Sequence, residues 1–205
     1  MARVDAPWLR PHRHPRKGYG RSGRISQSRQ GSAGSSSVDS SGILIDGFDR
    51  IAHTVHRVLD GLDAETAEFR IDDEANSIAW LIWHLTRVQD DHIADAAQSE
   101  QVWTAGGWVD RFELPFDGSA TGYGQDADDV AAVRVPVELL AGYHQAVHDR
   151  TVEYVRTLSA DDLDRVVDTR WDPPVTLAVR LVSVISDDLQ HVGQAAFVRG
   201  VAERR

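Results

Sequence analysis

Four stretches of this chain carry apolar residues at the spacing of an α-helix, separated by turn-forming or irregular sequence, and that pattern points to an all-α fold. Ile43, Phe48, Ile51, Val55, Val58 and Leu62 mark the first face, which starts at Gly42 with Ser41 as candidate cap. The second helix is predicted from about Ser77 to Gln98, capped by Asn76 or Ser77, with Ile78, Leu81, Leu85 and Val88 inward. The third runs from about Pro136, which suits a first helical turn, to Leu158, on a stripe of Leu140, Tyr143, Val147, Tyr154 and Leu158. The fourth runs from about Val175 to Arg199, behind Pro173 and Pro174, and is expected to stop at Gly200. No run alternates with strand period. One link is long, residues 99–135, so the expected architecture is an antiparallel four-helix bundle with one long crossover loop.

Residues 1–41 read as a disordered basic tail and 42–205 as the folded domain. The first 40 residues hold eight basic and two acidic residues among Gly, Ser and Pro, with no apolar period. A basic arm for an anionic surface and an organelle transit peptide are the functional readings of that tail. Pro7, Pro11 and Pro15 argue against the amphipathic helix of a transit peptide, and an unstructured extension is preferred, with Val38 as a candidate true initiator. The net charge is −10, so the folded part is more acidic than the whole and repels nucleic-acid backbones. No stretch approaches the ~20 apolar residues of a membrane span. No signal-type run opens the chain, so a cytoplasmic location is expected. Cysteine is absent, which excludes disulfides, thiolate ligands and a protein thiol nucleophile. Lys17 is the single lysine; basic residues otherwise being Arg suits a high-GC bacterial genome.

Polar side chains inside the apolar helical pattern are the candidates for chemistry. His84 sits among Trp80, Leu81, Trp83 and Leu85, a wall where an unpaired imidazole is costly. Asp91, two turns on, is a candidate to support it from behind; His92 is rotated toward solvent. In the fourth helix Asp187 or Asp188 lies four or three residues before His191, both acceptable for chelation from one face. Leu177, Leu181, Val184, Val192 and Ala195 place the buried side near His191, with Asp187 beside it. The bland alternative is an exposed acidic pair. Two imidazoles and a carboxylate brought together across a bundle core are a divalent-metal ligand set with open positions. His144 and His148, also four apart, form a rival pair; His144 borders the core as a candidate pocket residue and His148 tends outward. No Glu follows His144, so a zincin motif fails, and no phosphate loop, dinucleotide fingerprint or nucleophile elbow occurs.

The segment Trp83-His84-Leu85-Thr86 and the motif Asp187-x-x-x-His191-Val192-Gly193-Gln194 resemble the DinB/YfiT-like superfamily of four-helix metalloproteins over about residues 42–200. The usual pattern there is His-x-x-x-His-x-Gly-Gln with a third histidine from the second helix; Asp187 replaces the first histidine, as a carboxylate does in the similar mycothiol-dependent maleylpyruvate isomerase. The resemblance implies a metal site of His84, Asp187 and His191, with Gln194 close by and zinc or nickel as the first expectations. It implies a metal-dependent S-transferase or isomerase acting on a mycothiol-type small thiol and an electrophile. The loop bearing Trp103, Trp108 and Tyr123 is then placed to cover the electrophile. Arg87 and Arg180 are candidates near the bundle mouth for polar groups of the thiol, although a solvated surface role is the ordinary expectation for both. Metal-assisted hydrolysis and a non-catalytic metal- or small-molecule-binding bundle are the competing readings, and a homodimer is compatible with each.

Overall fold

The structure, a computed structural model, describes residues 39–205, so the tail expected over 1–41 falls almost wholly outside the described residues. The described helices are α1 (Ser40–Leu59), α2 (Ala64–Glu68), α3 (Ile78–Ala97), α4 (Val102–Ala105), α5 (Trp108–Phe112), α6 (Ala127–Ala132), α7 (Val137–Arg156) and α8 (Leu177–Ala202). The four long ones, α1, α3, α7 and α8, are those the periodicity predicts. Their ends follow from local chemistry. The Asp39 carboxylate accepts from the Gly42 N–H at 2.7 Å, which starts α1 two residues before the expected Gly42 and puts Ser41 inside the helix. Ser77 caps α3 by accepting from the Trp80 N–H at 3.1 Å. Helix α8 continues through Gly200 to Ala202, because Arg199 donates to the Val58 and Asp60 carbonyls at the end of α1 and ties the last turn down.

Helix α1 packs against α7 and α8, and α3 packs against the same two, so α1 and α3 face each other across the diagonal. Side-chain contacts fix the directions. His84 meets His191 while His92 meets Arg180, so α3 and α8 are antiparallel. Arg87 reaches Tyr143 while Tyr154 reaches the Ala96 carbonyl, so α3 and α7 are parallel. Gly47 abuts Ile185 and Arg199 reaches Arg57, so α1 and α8 are parallel too. The long crossover expected over 99–135 is what permits the parallel neighbours. A helix of 20 residues is about 30 Å long, and the chain must return that distance before α7 can start beside α3.

Helix α3 is buried on every side from Ile78 to Arg87. Two sides face α7 and α8, and the crossover covers the third. Asp90 clamps the crossover at its start: its carboxylate accepts from the Val102 and Trp103 N–H groups at 2.9 and 2.8 Å and from the Tyr143 hydroxyl at 2.8 Å. Trp103 fills the space between Phe112 and Tyr143, with ring centroids 5.0 Å from each. Before α8, a short antiparallel hairpin pairs Val166–Asp168 with Val175–Thr176. Strands of three and two residues are too short to show alternation in sequence, and none was expected. Among the described residues, no helix is long and apolar enough to cross a membrane.

Candidate metal centre

The structure brings His84 of α3 together with Asp187 and His191 of α8, each offering one ligand atom within 4.8 Å of the others. The antiparallel contact of α3 and α8 produces this meeting. His84 and Asp187 are buried, and His191 is half-buried. The two imidazole centroids lie 4.8 Å apart and nearly perpendicular, and the Nε2 of His191 lies 3.7 Å from Asp187 Oδ1.

Each imidazole is oriented through its other nitrogen. His84 Nδ1 lies 2.5 Å from the Thr121 carbonyl oxygen, an acceptor, so Nδ1 carries the hydrogen and Nε2 keeps its lone pair. Burial pushes the His84 imidazolium down to about 4, against the opposing hydrogen bond to Thr121 and with help from His191, so the ring is neutral at physiological pH. His191 Nδ1 lies 3.0 Å from Gln194 Oε1, an arrangement that likewise frees Nε2. Trp80 stacks on the His84 ring at 4.6 Å and donates its indole N–H to Gln125 Oε1 at 2.7 Å. The crossover therefore touches the site through Thr121 and Gln125.

The carboxylates carry the strongest physical signal. Asp187 Oδ2 is buried with no hydrogen-bond partner, and burial raises its carboxyl above the usual range despite His191. An unpaired buried carboxylate beside two imidazoles whose Nε2 atoms have no hydrogen-bond partner is costly alone and is relieved by a cation. The donor set present therefore fits a divalent metal. Asp188, the other candidate chelator, points into the core instead. It is fully buried with both oxygens unpartnered, and burial reinforced by Asp187 raises it well above the carboxylate range. The exposed acidic pair is thus absent.

Other expected residues lie elsewhere. Asp91 accepts from Gln101 at 2.8 Å and pairs with His92 at 3.6 Å, away from His84. His92 is half-buried, 3.5 Å from Arg180, in place of the solvent position expected for it. His144 is buried on α7 with its Nε2 unpartnered, and its ring stacks on His148, whose Nε2 meets Asp49 at 3.1 Å; His148 is therefore half-buried too. This rival pair does not join the cluster. Arg87 and Arg180 are both buried, contrary to the solvated role expected for them. Arg87 donates to the Ala120 carbonyl and Gln101, and Arg180 to Asp168 at 2.9 Å. Both guanidinium groups are held by the protein, although Arg87 Nη2 is buried without a hydrogen-bond partner. Trp103 is likewise consumed in the core, whereas Tyr123 is exposed.

Sequence reasoning passed over Thr121 and Gln125 as partners of the site. The available signal was the glycine-rich run Thr121-Gly122-Tyr123-Gly124. Gly122 has φ +91, and a Cβ there would lie 2.6 Å from His84 Nδ1, so the run packs backbone directly on the imidazole.

A family model described as mycothiol-S-transferase matches residues 43–203. Comparison with curated proteins yields no match. Among solved structures, a conserved protein from Enterococcus faecalis is similar at 27% identity and TM-score 0.77, covering 82% of this chain and 100% of that one.

Proposed function

This chain belongs to the mycothiol-S-transferase family, and from that premise we propose that it is a metal-dependent S-transferase joining a small thiol of the mycothiol type to an electrophilic carbon. The thiol gives its S–H proton to solvent, the sulfur's electron pair forms the C–S bond, and the carbon's bond to its leaving group breaks, the group departing with that bonding pair and taking up a proton from solvent. The observation that carries the reading is the convergence of His84, Asp187 and His191, with both Nδ1 atoms engaged and both Nε2 atoms free.

In this reading His84, Asp187 and His191 hold one divalent ion, zinc or nickel suiting the mixed donor set. The ion would supply a Lewis acid that stabilises a thiolate at neutral pH. The chain's own part is positional. Thr121 and Gln194 set the tautomer and direction of the imidazoles, and Trp80 holds His84 by stacking. Asp187 contributes negative charge that keeps the ion in place. No cysteine of the chain competes as nucleophile, so the reacting sulfur comes from the small thiol.

Beside His191 an open groove of about 560 Å³ includes Leu81, Gln190, Gln194 and Phe197 in its walls. Its size suits a small molecule, and Gln194 links it to the metal-site residues. The test is turnover by metal-stripped and metal-restored protein with a panel of thiols, mycothiol included, and small electrophiles. Conjugate should form only when metal and thiol are both present. Turnover with water alone, indifferent to thiol, would mean hydrolysis and overturn the transferase reading.

A further inference from the structure

The outward face of α8 repeats with coiled-coil spacing, although the bundle core does not use it. Val179, Val182, Ser186, Leu189, Gly193, Ala196 and Gly200 follow one another at alternating steps of three and four. The first six are exposed and Gly200 is half-buried. None is charged, in a chain in which 26% of residues are. Phe197 and Val182, at 64% and 58% exposure, are among its most exposed large apolar side chains. Ile43 of α1 is equally exposed, one turn before the Gly47 that abuts Ile185, so it extends the patch sideways.

We infer that this face pairs α8 with α8 of a second copy of the chain, antiparallel about a two-fold axis at Leu189. The order of side-chain sizes selects that occupant. Laid antiparallel on itself, the repeat sets Val179 against Gly200, Val182 against Ala196, Ser186 against Gly193 and Leu189 against Leu189. Every large residue of the first half meets a small one of the second, as a self-complementary two-fold contact requires. A parallel pairing stacks glycine on glycine and leaves voids.

Gly193 adds an independent observation. Glycine inside a helix weakens it, yet a Cβ at Gly193 would meet nothing within 4 Å in the chain itself. The isolated bundle therefore has no packing need for glycine there, whereas a close helix crossing does. Val179, Val182, Leu189, Phe197 and Ile43 are each between 46% and 64% exposed, so they offer a second copy a continuous apolar centre for an interface of the standard about 800 Å² per partner. The net charge of −10 disfavours an anionic membrane and also opposes two copies approaching by their charged faces, so a self-contact meets least repulsion at this uncharged face. Gln190, Gly193, Gln194 and Phe197 also line the groove beside His191, so the second copy would add a wall to it.

The test uses the full chain, whose lack of cysteine makes cross-linking site-specific. Sedimentation equilibrium at tens of micromolar should find a dimer for the wild type and a monomer for Leu189→Arg, with the helical circular dichroism of both alike. Under mild oxidation Leu189→Cys alone should form a covalent dimer. Val182→Cys alone should not, while Val182→Cys combined with Ala196→Cys should. A monomeric wild type, a Leu189→Arg variant that stays dimeric, or a Leu189→Cys chain that fails to cross-link would each overturn the inference.

Discussion

His84 and Thr121 are 37 residues apart in the chain, and the backbone carbonyl of the second lies 2.5 Å from Nδ1 of the first. A crossover whose length was set by the need to return along a helix thus also fixes the tautomer of a buried imidazole. The coupling runs from sequence to chemistry: the glycine-rich run permits close approach, the approach places the carbonyl, and the carbonyl leaves Nε2 free.

Gly122→Ala tests that coupling. The added methyl would lie 2.6 Å from His84 Nδ1, on a backbone with φ +91 that alanine rarely adopts. Stability should fall by about 1–3 kcal/mol. Affinity for the metal should fall about 10- to 100-fold, the usual cost of losing an outer partner of a ligand histidine. Urea melts and metal titration of the same preparation check both, and an alanine variant with wild-type metal affinity would show that the loop does not hold His84.

Asp90→Ala should be among the most damaging single changes away from the metal centre. It strands the Val102 and Trp103 N–H groups and the Tyr143 hydroxyl, and leaves Arg87, 3.7 Å away, buried without its anion. Breaking such a buried pair costs about 3–5 kcal/mol. Asp46→Ala, which removes an exposed, solvent-screened pair with Arg50, should change stability far less. Comparable losses for the two would contradict the clamp.

The four long helices were legible because their apolar stripes are long; Ser77 marks the start of α3 by its side-chain cap, and Pro136 marks that of α7 by its fixed backbone, with no cap hydrogen bond. The meeting of His84, Asp187 and His191 was legible because polar residues inside apolar stripes must be satisfied by something. Arg87 and Arg180 misled because a charged side chain in an amphipathic helix reads as solvent-facing. Their burial depends on partners far away in sequence: the Ala120 carbonyl for Arg87 and Asp168 on the hairpin for Arg180. Helix direction was less legible: the expected antiparallel arrangement holds for α3 with α8, whereas α3 with α7 and α1 with α8 run parallel, since periodicity says which face is buried and nothing about which neighbour covers it.

Acid should reveal His144. Burial, helped by nearby His148, lowers its imidazolium to about 3, against about 6.5 when unfolded. The unfolded chain therefore takes up a proton that the folded chain refuses. The stability this neutral imidazole contributes is complete above pH 6.5 and is lost as pH falls toward 3. Asp187 and Asp188, with raised carboxyls, act with the opposite sign, so the comparison must be with His144→Leu rather than with neutral pH alone. In metal-free protein, the wild type should lose stability relative to His144→Leu on going from pH 7 to pH 4.5. Parallel pH profiles would show that His144 protonates freely in the folded state.

The account stands most directly on equilibrium metal binding by chelator-stripped protein carrying no affinity-tag histidines. Titration with zinc and with nickel should find one high-affinity site per chain in the wild type and in His92→Ala and His148→Ala. It should find none of comparable affinity in His84→Ala or His191→Ala. A wild type that binds no divalent ion, or a His84→Ala, His191→Ala double variant that keeps one stoichiometric ion, would contradict it.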